Sequence, residues 1–183
     1  EMLPGIALLQ SFGQTESGPT ITSLGPDYHV LDGQKAGKLR TTGRPVTHVD
    51  VRIVDDEDND VATGEPGEIL ARSPCVMKGY WNQPELSAET LRGGWLHTGD
   101  IGWLDEDGFL TVVDRKKDMI VSGGENVFST EVEDVIHRHP AVQECAVIGV
   151  PDEKWIEAIH AIVVPKSGYE LEAQDITTHC RAL

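Results

Sequence analysis

Four short stretches of this chain carry side chains able to hold an anionic ligand. The first is QSFGQTESG, residues 10–18. Gly13 and Gly18 let backbone approach a ligand closely. Phe12 offers a flat face, Thr15 a hydroxyl and Glu16 a carboxylate. Together these suit a nucleotide with a divalent cation: hydroxyl to phosphate, carboxylate to Mg2+, ring to base. A surface turn with a capping Thr has the same composition. The second stretch is HTGD, residues 97–100. Asp100 could accept two hydrogen bonds from a ribose diol, as acidic residues do in dinucleotide folds, or bond its own backbone at a turn. The third is VVDRKKD, residues 112–118. The planar donors of Arg115 match an oxyanion; three basic residues in a row also protect a hairpin edge. The fourth is VSGGENV, residues 121–127, whose paired glycines permit a narrow channel or a plain turn.

The bulk numbers narrow the field. The chain has 183 residues, 39% hydrophobic and 25% charged, values of an ordinary globular protein with room for one large domain or two small ones. The formal net charge of −16 argues against a nucleic-acid partner, because a phosphate polymer would be repelled. A small anion could still bind where the few cations gather. No apolar run reaches the length of a membrane span. The first residues show no secretory leader and no initiator Met, so residue 1 is not expected to be the natural start. The three cysteines, Cys75, Cys145 and Cys180, are too widely spaced for a disulfide framework or a zinc site, and read as buried thiols of a reducing cytoplasm. His137 and His139 are two apart on a helix and do not face each other, so no metal is expected there. No nucleophile triad is readable.

The elements that must position these groups follow from periodicity. VDVRIVD (49–55) alternates and is β-branched, hence a strand, and EILARS (68–73) reads as a second. The acidic DDEDND between them reads as a solvated hairpin tip. Residues 82–95 read as one short helix stopped by Gly93-Gly94, and 97–114 as β-rich with a DEDG turn. In STEVEDVIHRHP, Val132, Val135, Ile136 and His139 share one helical face, Thr130 and Glu133 have capping-box spacing, and Pro140 ends the helix. Residues 142–150 and 158–165 read as strands, and 173–183 as a helix with Ile176, Cys180 and Leu183 on one face. The order after Asp118 is β-β-α-β-β-α, a small α+β unit.

The order of the motifs is itself specific. SFGQTES, GEILARSPCVMKGYWNQPELSAET, GWLHTGDIGWLDEDGF, VVDRKKDMIVSGGENVFSTEVEDVI and VIGVPDEKW, in that sequence, resemble the adenylate-forming (ANL) superfamily over essentially the whole chain. Within it the chain is similar to the acyl-CoA synthetases, the fatty-acid and aryl-acid CoA ligases. The fold this resemblance implies is α+β. A distorted β-barrel-like subdomain of a large N-terminal domain (residues 1–116) would be followed by a hinge and a small, incomplete α+β C-terminal domain with a short sheet flanked by helices (117–183).

The implied chemistry is ATP-dependent: a carboxylic acid attacks the α-phosphate of ATP, and the thiol of CoA then displaces AMP. Both steps pass through charged transition states, so positioned cations and donors carry most of the catalysis. Carried over by the resemblance, Gln10, Ser11 and Phe12 would lie along the adenine and adenylate, with Phe12 in place of the more usual Tyr. Thr15 would contact phosphate, Glu16 would hold Mg2+, Asp100 would bind the ribose hydroxyls and Arg115 the ribose or phosphate. Lys117 falls at the hinge. Ser122, Gly123 and Gly124 would line the pantetheine tunnel, and Trp155 would contact CoA. Ile156 stands where the family usually has Gly. The family's phosphate loop would precede residue 1 and its C-terminal lysine would follow Leu183, which implies an internal fragment inactive alone. The expected partners are the acid, ATP and CoA, in the cytoplasm, with oligomerisation open. Two other readings remain at this stage: an amino-acid adenylation domain of a peptide synthetase, and a non-catalytic homologue serving as a binding or assembly module.

Overall fold

A computed structural model describes residues 6–182. The start of the opening apolar segment and Leu183, expected on a helix face, lie outside the described residues. The chain divides into two compact units, Glu1–Val112 and Val113–Leu183.

The first unit holds two open sheets. Strands β1 (Gln10–Phe12), β2 (Thr22–Leu24) and β3 (Arg44–Pro45) form one, in that order. A 3-10 turn over Thr15–Ser17 joins β1 to β2. The second sheet runs β4-β5-β6-β7, from β4 (Asp50–Val54), β5 (Gly67–Arg72), β6 (Leu96–Leu104) and β7 (Leu110–Arg115), the last three residues of β7 being counted in the second unit. The run Glu68-Ile69-Leu70-Ala71 does not alternate because β5 is a central strand buried on both faces. Ile53, Ile69 and Leu110 form the core, and Phe12, Val51 and Leu104 pack against it.

Helix α1 (Pro84–Thr90) is shorter than the expected 82–95. Pro84 is pre-set for the first helical position. Beyond Leu91 the chain tightens into a 3-10 turn, and Gly93 and Gly94, at φ 64 and 78, leave the helical region. The acidic tip is not simply solvated. Asp58 takes a left-handed conformation and a two-pronged ion pair from Arg92, at 2.9 and 3.1 Å, while Arg52 binds Asp60 at 2.6 Å.

The second unit has the expected β-β-α-β-β-α order. Strands β8 (Ile120–Ser122) and β9 (Glu125–Val127) flank the Gly123-Gly124 turn; helix α2 (Ser129–His137), strands β10 (Val142–Asp152) and β11 (Ile156–Pro165), and helix α3 (Ala173–Arg181) follow. The sheet order is β10-β11-β8-β9, with β11 and β8 paired through Ile156 and Ser122. Ile120, Ile136, Val142 and Val147 form its core, and Val132, Ile176 and Cys180 pack on it. The expected Thr130–Glu133 capping box does not form. Glu133 instead accepts the amide of Val147 at 2.8 Å, tying α2 to β10, and the helix start is held by Asp114. Of the cysteines expected to be buried, Cys75 is exposed and Cys145 and Cys180 are half-buried.

Candidate functional site

In the first unit the QSFGQTESG loop is built by close backbone approach. A Cβ on Gly13 would lie 2.0 Å from the Pro19 carbonyl oxygen, and one on Gly18 2.6 Å from the Cys75 oxygen. Those two positions exclude side chains and fold the loop back on itself, so that Thr15 and Glu16 stand on a single 3-10 turn. Ser17 locks the turn: its hydroxyl donates to the Gln14 carbonyl at 2.8 Å and accepts the Gln14 amide at 3.0 Å. Thr15 is exposed and Glu16 half-exposed. Gln10 and Ser11 are exposed on β1, but Phe12 is partly used by the core, where it packs on Ile53, Ile69 and Leu110. The Glu16 carboxylate accepts the Tyr80 hydroxyl at 2.9 Å through Oε1. Burial pushes the Tyr80 phenol up, and the adjacent Glu16 acts in the same direction. Tyr80 and its partnership with Glu16 were missed in the sequence, where the two are 64 residues apart.

Mg2+ takes one or two carboxylates from protein and the rest of its shell from phosphates and water. Glu16 fits that requirement, since Tyr80 engages one oxygen and the residue is open to solvent beside an exposed hydroxyl.

Asp100 lies half-exposed on β6 and its position is fixed from below. Its amide donates to Thr98 Oγ1 at 3.1 Å, and that hydroxyl donates to the Ile69 carbonyl at 2.7 Å. Gly99, at φ 71, donates its amide to Glu68 Oε1 at 3.2 Å. Under the turn, the side chains of Glu68 and His97 are 6% and 5% exposed, with His97 Nδ1 3.6 Å from Glu68 Oε2 and without a hydrogen bond. A buried carboxylate needs such donors and a nearby cation, which Arg92 supplies at 3.9 Å.

In the second unit, Arg115 and Lys117 are exposed at the start of a 3-10 turn over Lys116–Asp118, with Lys117 4.0 Å from Asp118. Asp114 organises this stretch. It accepts the Arg115 amide at 2.7 Å through one oxygen, and the Ser129 hydroxyl at 2.8 Å and Thr130 amide at 3.4 Å through the other. One carboxylate thus caps α2, whose own N-cap residue, Phe128, offers no acceptor. The missing acceptor at Phe128 is the signal that a distant cap was required.

Three residues expected along the pantetheine path come together here. Ser122 pairs with Ile156, the Gly123 amide donates to the Trp155 carbonyl at 2.8 Å, and the Trp155 ring covers Gly123 so closely that a Cβ would sit 2.9 Å from it. Gly123 and Gly124 are at φ 63 and 87, a region that suits Gly. Both are exposed, as is Trp155, over which Lys154 lies at 4.5 Å. Ile156 is at φ 73, an outlier for a β-branched residue.

A sequence model of the AMP-binding enzyme family matches residues 1–81, and one of the AMP-binding enzyme C-terminal domain matches residues 131–182. The chain belongs to the AMP-binding enzyme family. Among curated relatives of this family, feruloyl-CoA synthase from an Amycolatopsis species is 44% identical over 97% of the chain and 35% of its own length. Among solved structures, an amide bond synthetase from Marinactinospora thermotolerans is 41% identical with TM-score 0.82, over 96% of this chain and 34% of that one. The o-succinylbenzoate CoA synthetase of Bacillus subtilis, in complex with an acyl-adenylate intermediate, is 38% identical with TM-score 0.84, over 97% of this chain and 35% of that one. The chain therefore spans about a third of the length of the AMP-binding relatives it matches.

Proposed function

We propose that this chain is part of an ATP-dependent acid–CoA ligase. The carboxylate of the acid attacks the α-phosphate of ATP, forming the acyl-adenylate and releasing pyrophosphate. The CoA thiol then attacks the acyl carbon and AMP leaves. In this reading residues 1–116 belong to the adenylate-binding domain, within a barrel-like subdomain, and 117–183 form a hinge and the domain of the CoA step. The Thr15 hydroxyl donates to a phosphate oxygen, Glu16 holds Mg2+, and Gln10, Ser11 and Phe12 flank the adenine and adenylate. Mg2+ supplies charge neutralisation on the phosphates. Asp100 accepts from the ribose diol and Arg115 donates to ribose or phosphate. Lys117 is the pivot, exposed on a short turn where the backbone can change direction with few contacts to break. We place this ligase in the cytoplasm, a compartment that supplies both ATP and CoA.

The observation that carries the CoA step is the corner of Ser122, Gly123 and Trp155. A bare backbone under an exposed indole, with the Lys154 ammonium 4.5 Å from that ring, makes a narrow wall that suits a linear, amide-bearing arm such as pantetheine. The test is a pair of assays on the full-length protein with a panel of aryl and fatty acids. Pyrophosphate exchange reads the first step and loss of CoA thiol reads the second. Gly123→Leu is expected to keep exchange and lose thiol consumption; exchange without thiol consumption in the parent protein would overturn the reading. A second acceptor, an amine, is favoured by Ile156, whose exposed side chain crowds this corner, and by the likeness to an amide bond synthetase. Amide formed without CoA in the same assay would select it.

A further inference from the structure

Residues 74–80, PCVMKGY, carry no role in the reading above, yet they are tied twice to Glu16 and once to Gly18 of the same turn. The Met77 amide donates to the Glu16 carbonyl at 2.8 Å. Gly18, two residues on, abuts Cys75 without room for a Cβ. The Tyr80 hydroxyl donates to Glu16 Oε1 at 2.9 Å. Tyr80 is itself anchored to α1. Its amide donates to Ser87 Oγ at 2.8 Å, and that hydroxyl donates to the Gln83 carbonyl at 2.6 Å. Thr90, at the end of α1, lies beside the phenol and acts against its upward shift. Gly79 is kept bare by the Ser87 hydroxyl, 2.9 Å from where its Cβ would be. A line of contacts therefore runs from a helix, through a phenol, to one oxygen of a carboxylate.

We propose that Tyr80 is a positioning residue that holds Glu16 in the rotamer from which its other oxygen, Oε2, meets the divalent cation carried by ATP. The inference rests on the reading of Glu16 as the Mg2+ ligand. A free glutamate on an exposed turn samples many rotamers. Mg2+ accepts only a near-octahedral shell, so a ligand that arrives already oriented binds it better. The phenol also draws a little charge from the carboxylate, which opposes binding. Orientation outweighs this because the donor is neutral and engages only the oxygen that faces away from the metal. Outer partners of metal ligands act in this way and typically change affinity by about 10- to 100-fold.

The test is calorimetric titration of ATP into the full-length protein, with excess Mg2+ and with EDTA, for the parent, Tyr80→Phe, Glu16→Gln and the double variant. Tyr80→Phe keeps the ring and its packing and removes only the hydroxyl. It is expected to weaken Mg–ATP binding about 10-fold and to leave metal-free ATP binding unchanged. Glu16→Gln is expected to abolish the Mg2+ dependence, and Tyr80→Phe to add nothing on that background. Equal weakening of metal-free and Mg2+-loaded binding by Tyr80→Phe would mark the bond as a loop tie and overturn the inference. So would unchanged binding in Tyr80→Phe while Glu16→Gln weakens it, a result that leaves the reading of Glu16 standing. Mg–ATP binding unaffected by Glu16→Gln would overturn both.

Discussion

Gly13→Ala places a methyl where the loop crosses itself. The new carbon would lie 2.0 Å from the Pro19 carbonyl oxygen, 2.7 Å from the Pro19 carbonyl carbon and 2.9 Å from Thr20 Cα. An ordinary C···O contact is about 3.3 Å, so backbone rather than a yielding side chain must move by more than an ångström. The crossing is clamped by the Ile21 amide, which donates to the Phe12 carbonyl at 2.8 Å, and by the Phe12–Thr22 strand pair. Overpacking costs about 1–3 kcal/mol, and the loss of one backbone hydrogen bond adds about 0.5–1.5 kcal/mol. Replacing Gly returns about 0.4–1 kcal/mol through the unfolded chain, so the expected net loss is about 2–3 kcal/mol. Gly25→Ala is the control, because Gly25 has φ −69 and no atom within 4 Å of its Cβ position. It is expected to be neutral or stabilising by up to about 1 kcal/mol. Urea unfolding in a Trp155→Phe background leaves Trp81, Trp95 and Trp103 of the first unit to report. With a slope of about 2 kcal/mol per molar, the midpoint of Gly13→Ala falls by about 1–1.5 M. A fall of under about 0.3 M, or an equal fall for Gly25→Ala, would refute the close-crossing argument.

Three further outcomes are expected. Asp114→Ala removes the cap of α2 and costs about 1–2 kcal/mol, read by urea unfolding; Asp114→Asn recovers part of it, and no loss in the Ala variant would show that the cap is idle. Burial raises the Asp105 carboxyl, but hydrogen bonds from Lys38 at 2.6 Å and from the Phe109 and Asp107 amides outweigh it, so the group titrates below the ordinary range. Between the folded and unfolded values the unfolded chain binds more protons, so this stability is present above about pH 4 and lost as pH falls through the folded value; Asp105→Asn should flatten the acid limb of an unfolding-versus-pH curve, and an unchanged limb would refute it. Burial, with Glu133 and Cys180, raises the Cys145 thiol, so near pH 8 alkylation followed by mass spectrometry should label exposed Cys75 first, and faster labelling of Cys145 would contradict the burial.

The strands and helices were legible where one local pattern decided them, as in DVRIV or in the Val132–Ile136 face of α2. What stayed hidden were polar groups whose partners are far away in sequence. Thr130 and Glu133 have the spacing of a local cap, but Glu133 gains more by satisfying the amide of a neighbouring strand, and Asp114, 15 residues upstream of Ser129, takes over the helix end. Asp58 looks like one more charge on a wet tip; its pairing with Arg92, 34 residues on, and the burial of Glu68 and His97 depend on which strands become neighbours. For the candidate site, composition and spacing made each motif a plausible turn as readily as a ligand contact. Only their order singled out the family. The meeting of Gly123 with Trp155 and of Glu16 with Tyr80 needed the fold.

Ile156 has a consequence for how the second unit moves. Its sheet is two hairpins, β8-β9 and β10-β11, joined by the pair Ile156–Ser122, the adjacent Gly123–Trp155 bond and the Val121 amide donating to Glu157 Oε2 at 2.7 Å. The residue at that stitch is the one held in a left-handed conformation that costs a β-branched side chain about 1–3 kcal/mol. The ten-pair ladder within β10-β11 is long by comparison, broken by one register shift between Val142 and Glu144. Tension concentrated at the shortest seam makes the seam, not either hairpin, the first place to part. Amide exchange should therefore find Gly123 open while the amides that bond across the β10-β11 ladder remain closed, the seam parting before either hairpin unfolds.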